Sequence, residues 1–299
     1  MKSVISALLL AAVSQAAPAP SSKTTTEIGS NPILFDGRIP PLFRSALLDN
    51  DTTSPYNAEY VLGLEPWSKV VHFPNVDHSL FDVPLGGKPI IVSINDKSIF
   101  QTQTGFRRSE LLPDVNSGND VTTNGVTAHH FSIRTDNTRP LNYSHEYQPV
   151  FIETQDYSSH VWQLKTGTPF GESWTEEAAT TLRIYSSSTS SDALEIFNVP
   201  FTTDDWHNFA LEEDWTNNLL TLYYSTGQSP LAVVAGPMAN DNSGKGQFHV
   251  GMLKLPTGPN GIDVTKEGYQ EKRPNEGLTY GGVFIEDTSS GSVTLEPAV

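Results

Sequence analysis

The sequence predicts an all-β protein built as a sandwich of two antiparallel sheets. Short runs rich in β-branched and aromatic residues recur at turn-punctuated intervals, helical periodicity is scarce, and 22 Gly with 21 Pro supply the breaks between strands. At 299 residues the chain can bury a sizeable core, and all-β units of this size are commonly one domain. It has no cysteine, so the fold must rest on its core alone.

Residues 1–17 read as a signal peptide. Lys2 precedes an apolar run from Val4 to Val13, and Ser14-Gln15-Ala16 offers a small-residue exit. The run is too short for the roughly 20 residues a membrane span needs. Residues 18–30 are polar and aperiodic and are expected to form a flexible leader. A single folded domain is expected over 31–299. Its strands are expected at 89–94, 128–134, 147–153, 161–165, 181–185, 208–212, 219–225, 247–253 and 282–286. Thr216-Asn217-Asn218 should turn a hairpin, because Asn tolerates left-handed backbone. Secretion is expected, with sequons at Asn50 and Asn142 open to glycosylation on a eukaryotic route. The balance of 18 Lys and Arg against 34 Asp and Glu gives −16, which repels nucleic acid and polyanionic sugars and favours a neutral substrate.

Alternation along a strand decides which side chains share a surface. In Phe106–Leu112 (FRRSELL), Arg108 and Glu110 share one face, and Arg107, Ser109 and Leu111 the other. Left in solvent, such a pair contributes only about 0–1 kcal/mol. In Tyr147–Glu153, alternation puts Tyr147, Phe151 and Glu153 together, opposite Glu146, Gln148, Val150 and Ile152. Two rings beside a carboxylate suit a sugar, whose apolar face stacks while its hydroxyls meet acceptors. Gln163 and Lys165 share a face on the next strand. His207 opens a strand beside Trp206, and His249 shares a face with Gln247.

No metalloprotease, nucleophile-elbow, phosphate-loop or dinucleotide motif occurs. His129 and His130 are adjacent on a strand and must face opposite ways, which argues against a histidine-rich metal site. Carboxylates with a histidine in an aromatic groove suit acid/base attack on a glycosidic bond.

The segments NPILFDGRIP (31–40), FRRSELLP (106–113), RPLNYSHEYQPVFIET (139–154), LKTGT (164–168), WHNF (206–209), QFHVGMLKLPTG (247–258) and GGVFIED (281–287) together resemble glycoside hydrolase family 131. The resemblance spans nearly all of the chain after the leader. It implies a secreted fungal β-glucanase with a β-jelly-roll domain whose concave face forms the groove, acting on β-1,3-, β-1,4- and sometimes β-1,6-linked glucans. It implies catalysis by Glu110, a second glutamate on the YQPVF strand and a groove histidine. Glu153 is preferred over Glu146 for its aromatic face, and His207 is preferred over His249. Arg108 should keep Glu110 ionised, while an apolar wall should favour the neutral form of Glu153. Arg108, Tyr147, Phe151, Gln163, Lys165, His249 and Glu146 are the expected substrate contacts. The partner is expected to be a β-glucan bound by a monomer, without membrane, nucleic acid or cofactor. Jelly rolls can tie strands with calcium, for which Asp36, Glu286 and Asp287 would serve, but no ligand spacing is distinctive and no metal is assigned. A polysaccharide lyase, recognised by its unsaturated uronate product, and a glucan-binding protein without turnover are the alternatives.

Overall fold

The computed structural model describes residues 29–115, 117–189 and 192–298. The signal segment and leader residues 18–28 lie outside the described residues. Among the described residues fourteen strands run in chain order: β1 (Ile33–Asp36), β2 (Val71–His72), β3 (Ile90–Ile94), β4 (Arg107–Leu111), β5 (Val126–Thr135), β6 (Glu146–Glu153), β7 (His160–Gly167), β8 (Thr181–Tyr185), β9 (Glu195–Pro200), β10 (His207–Asp214), β11 (Leu219–Thr226), β12 (Ala232–Ala239), β13 (Gln247–Lys254) and β14 (Glu276–Asp287). They form an eight-stranded sheet, ordered β12-β11-β10-β5-β14-β3-β2 with β1 on β14, and a six-stranded sheet, β4-β13-β6-β7-β8-β9. Neighbours are antiparallel throughout, and the whole is a β-jelly-roll sandwich.

Each expected strand falls within an observed one, except that β3 starts at Ile90 and leaves Pro89 outside it. The β10–β11 hairpin turns where Asp214 accepts the backbone N–H groups of Thr216 and Asn217, with Asn218 in the left-handed region at φ 55°. Alternation fills the space between the sheets. Val150, Ile152, Trp162, Leu164, Phe248 and Val250 from the smaller sheet pack on Phe131, Ile133, Phe209, Leu211 and Tyr280 from the larger. The predicted opposition of the adjacent histidines holds. His129 turns inward to Glu213, which also takes the Trp162 indole N–H, and His130 turns outward to Glu286.

Strict alternation fails within β6, and Tyr147 moves. Between Tyr147 and Val150, β6 carries one residue more than the facing segment of β7, a bulge at Gln148-Pro149 where proline has no N–H to give the ladder. Tyr147 therefore points into the core with Val150 and Ile152, away from the sugar face assigned to it. Its hydroxyl hydrogen-bonds Glu276. There it meets Lys254, a lysine with no exposed surface, which binds Glu276 at 2.7 Å and Glu271, and lies 5.8 Å from the Tyr147 ring centroid. His145 holds the other Glu271 oxygen at 2.9 Å.

The three carboxylates named for calcium do not converge. Asp36 pairs with Arg38, Asp287 caps Ser289, and Glu286 binds His130, Asn31 and Thr294. Among the described residues no group of three His, Cys, Asp or Glu side chains is arranged to hold a metal ion.

Removing one partner from a buried ion pair strands its mate. Lys254→Ala is expected to cost about 3–5 kcal/mol, read as a lowered urea midpoint at neutral pH, with part of the loss recovered in Lys254→Ala/Glu276→Gln.

Candidate active site

On the face of the smaller sheet turned away from the core lies a trough of about 690 Å³. Its floor comes from strands: Arg108 on β4, Gln148, Phe151 and Glu153 on β6, His160 on β7 and Leu253 on β13. Loops raise the walls, with Tyr60, Phe100 and Phe106 on one side, Val264 and Thr265 on another, and Tyr157 at the tip of the β6–β7 hairpin. Phe106, Phe151, Leu253 and Leu255 form a small apolar cluster of their own, joined by Phe170 and Val264. The trough thus offers ring and aliphatic faces together with a few polar groups, as sugar sites require.

Behind the floor sits an ionic array without solvent. Glu110 has no exposed surface, and Arg108 grips it by two bonds of 2.7 Å from Nε and Nη2. The remaining Arg108 donor, Nη1, reaches Gln103 Oε1 at 2.9 Å. His249 Nδ1 bonds Glu110 Oε2 at 2.7 Å, and its Nε2 faces Glu153 Oε2 at 3.5 Å. Phe151 stacks on the imidazole at 4.5 Å and fixes its plane. This geometry needs Gly251 opposite Glu110, since a Cβ there would lie 2.3 Å from the Ser109 carbonyl oxygen.

The two carboxyls lie in opposite environments. Burial alone would raise the Glu110 pKa, but the Arg108 charge and the hydrogen bonds from His249 and Arg108 outweigh it and hold the group below the ordinary carboxylate range. For Glu153, burial dominates and pushes its pKa up, against the opposing pull of His249 and Arg108 and with the Glu110 charge adding to the rise. Glu153 keeps 22% of its side chain exposed to the trough, so it is the carboxyl a substrate can touch. Across the ladder from it stands His160, edge-on to Phe151 at 5.1 Å. Burial and the charges of Lys165, His249 and Arg108 lower the His160 pKa to about 3, so the ring is neutral at working pH.

The structure brings Glu110, Glu153, Arg108, Phe151 and His249 together. His207 it places elsewhere: on β10 of the opposite sheet, bonded to Thr202 and to the Tyr224 hydroxyl and edge-on to Phe201. A strand start beside a tryptophan marked it, but β10 belongs to the other layer. Glu146 is buried under the trough, bound by Lys165 at 2.9 Å, Gln148 and the Phe170 N–H, and reaches the lining only through Gln148. Gln163, buried opposite Phe151, and Lys165, over the Tyr185 ring, flank the trough without lining it. Asn50 is exposed, whereas Asn142 is half-buried and donates to Glu271.

Sequence reading missed Gln148 and His160 for one reason, since bulges beside each reverse the parity. At the end of β6 one residue spans the step from Ile152 to Glu153 while β7 uses two, from Trp162 to His160, turning His160 to the Glu153 side. Tyr60 and Tyr157 sit on loops, where no periodicity speaks. Tyr157 does carry a mark: its φ of 60° is left-handed, a conformation that costs a bulky residue about 1–2 kcal/mol.

The raised pKa of Glu153 is also a stability statement. Above its folded pKa the ionised group is destabilising relative to the unfolded chain, and below the unfolded value of about 4.3 that cost is gone. Glu153→Gln should therefore raise Tm at neutral pH, and the gain should vanish as pH falls towards 4 in a calorimetric series.

The family model of the glycoside hydrolase 131 catalytic N-terminal domain matches residues 33–291. Among solved structures, a glycoside hydrolase family 131 β-glucanase catalytic domain from Podospora anserina superposes with a TM-score of 0.68 at 25% identity, covering 89% of this chain and 98% of that one. The family 131 catalytic domain from Coprinopsis cinerea gives 0.65 at 24% identity, covering 88% and 97%. No curated protein sequence matches significantly. With the model spanning most of its length, this chain belongs to glycoside hydrolase family 131.

Proposed function

We propose that the trough hydrolyses β-glucosidic bonds in a neutral β-glucan outside the cell, with Glu153 as proton donor. The observation that carries this is a single exposed carboxyl, biased towards its neutral form, facing an apolar trough while a charged and buried Arg108–Glu110–His249 array stands behind it. Glu153 donates its proton to the glycosidic oxygen as the bond to the anomeric carbon breaks. The proton of the attacking water returns to the Glu153–His249 pair, so the site ends as it began. Glu110 acts as a positioning residue. By bonding Nδ1 it fixes the ring so that Nε2 is aimed at Glu153.

Substrate charge follows from the same contacts. A uronate calls for positive charge, yet among the described residues lining the trough the cation is Arg108, already engaged by Glu110 and Gln103. A glucan with no charge asks for nothing more. The signal-like leader and the exposed sequon at Asn50 support an extracellular setting. The β-1,3- and β-1,4-linkages are the proposed targets, with β-1,6 third.

Glu153→Gln is expected to lower kcat on laminarin or mixed-linkage glucan by about 10²–10⁴-fold with its circular dichroism unchanged. The alkaline limb of the kcat/KM profile, where Glu153 loses its proton, should disappear in that variant. Near-normal turnover in Glu153→Gln, or ultraviolet absorbance from an unsaturated product, would reject the assignment.

A further inference from the structure

The two sequons, Asn50-Asp51-Thr52 and Asn142-Tyr143-Ser144, read alike in sequence and stand in opposite situations in the fold. Asn50 follows the short 3₁₀ turn Ser45–Asp49 with an extended backbone, at φ −145° and ψ 121°, and residues 50–53 are all exposed. Its carbonyl accepts the N–H groups of Thr53 and Ser54 at 3.0 and 2.9 Å, which closes the turn. Its side-chain oxygen Oδ1 accepts the Thr52 N–H at 2.8 Å and the Thr52 hydroxyl at 2.7 Å. The side chain of Asn50 is thus held through Oδ1, and Nδ2 has no partner among the described residues.

Asn142 is half-buried in a corner between the start of β6, the end of β7 and the segment leading into β14. Its N–H donates to the Tyr147 hydroxyl at 2.9 Å, and the carbonyl of Tyr143 accepts the Thr168 N–H at 3.1 Å and the Thr168 hydroxyl at 2.7 Å. Ser144 gives Asn142 Oδ1 its backbone N–H, at 3.2 Å. Here Nδ2 is engaged, because it donates to Glu271 Oε1 at 3.1 Å. The same carboxylate is held by the buried Lys254 and by His145. A hydrogen bond to a charged acceptor in half-buried surroundings is costly to leave unmade. A sugar on the Asn142 amide would have to stand against the cluster of Glu271, Lys254 and His145.

We infer that Asn50 carries an N-linked glycan in the folded protein, while Asn142 stays unmodified and serves as a structural donor to Glu271. In the transfer, Asn50 Nδ2 bonds to the anomeric carbon of an oligosaccharide that ends in N-acetylglucosamine and is carried on a lipid diphosphate. The anomeric C–O bond breaks, the lipid diphosphate leaves, and one Nδ2 proton is lost. That proton makes no bond at Asn50, so the turn keeps every contact it has. At Asn142 an Nδ2 hydrogen holds Glu271, and a sugar ring added to the same nitrogen competes with Lys254 and His145 for the space around that carboxylate. The inference rests on the extracellular setting proposed above and is independent of the reaction in the trough.

The full chain, produced through a eukaryotic secretory route, is expected to show the mass of a single glycan. Enzymatic deglycosylation in heavy-oxygen water, followed by peptide mapping, should turn Asn50 into labelled Asp and leave Asn142 unlabelled. Asn50→Gln should lose the whole mass shift. Ser144→Ala destroys the second sequon but keeps the Asn142 amide, so it should match the wild type in mass and in Tm. Asn142→Ala should also match it in mass, yet melt a few degrees lower because Glu271 loses a donor. A glycan on Asn142 of the folded, secreted protein would overturn the inference, as would a bare Asn50 or an equal Tm in Ser144→Ala and Asn142→Ala. If the chain's own leader does not export it, the extracellular setting fails, and the same occupancies are then read on the full chain placed behind an established export signal.

Discussion

A carboxylate with no path to solvent has to be neutralised where it stands, and Glu110 sets that requirement for the active face of the protein. Placing an ionised carboxylate in the interior costs several kcal/mol, which only short, charge-assisted bonds with good geometry can offset. Arg108 supplies two and His249 a third. Each partner is then committed. Arg108 sits two residues away on the same strand, the shortest spacing that lets a strand present both groups on one face. His249 must come from the neighbouring strand β13, and Gly251 must follow it so that β13 can close on the Glu110 backbone. The apolar core of the sandwich fixes the register that makes these positions coincide.

How much of this was legible in the sequence depends on where alternation holds. On β4 and β13 the two-residue period is unbroken beside the site, and the shared face of Arg108 with Glu110, and of His249 with Gln247, follows from sequence order. On β6 and β7 it is interrupted. Pro149 was visible as a residue that cannot donate to a ladder, yet a proline signals a bulge, an edge or a strand start without saying which. One extra residue sent Tyr147 to the core and Gln148 to the trough. The sheet to which a strand belongs is less legible still, because it depends on pairing between segments far apart in the chain. His207 and His249 look alike in sequence, each beside an aromatic residue on a strand, and only the pairing of β10 with β5 and of β13 with β4 separates them by the thickness of the sandwich.

Electrostatics ties the site to the whole molecule. The chain carries a net charge of −16, yet the charged groups under the trough are paired locally: Arg108 with Glu110, Lys165 with Glu146, and Lys254 between Glu276 and Glu271. The acidic surplus lies elsewhere on the surface, where it favours solubility. With these charges engaged by one another, recognition falls to shape, stacking and hydrogen bonds. It also leaves Glu153 as the one group whose charge is unsettled, because its partner His249 is already committed to Glu110 through Nδ1.

The walls are built to the same economy as the floor. At the β6–β7 tip, Asp156 accepts three hydrogen bonds from Thr154 and Ser158; at the opposite bank, Asp263 accepts the Thr265 N–H and hydroxyl and pairs with Lys266. These short aspartate turns fix Tyr157 on one side and Val264 with Thr265 on the other, and the Gly105 N–H bond to the Thr265 carbonyl ties the second bank to the segment leading into β4. A groove whose rim is held by local hydrogen bonds is formed before substrate arrives, so little ordering entropy is left to be lost on binding. Such a rim can also be altered without disturbing the buried ion array, since its turns are closed by their own side chains. Selectivity for glucan length and linkage can therefore change at the rim while the chemistry beneath it stays constant.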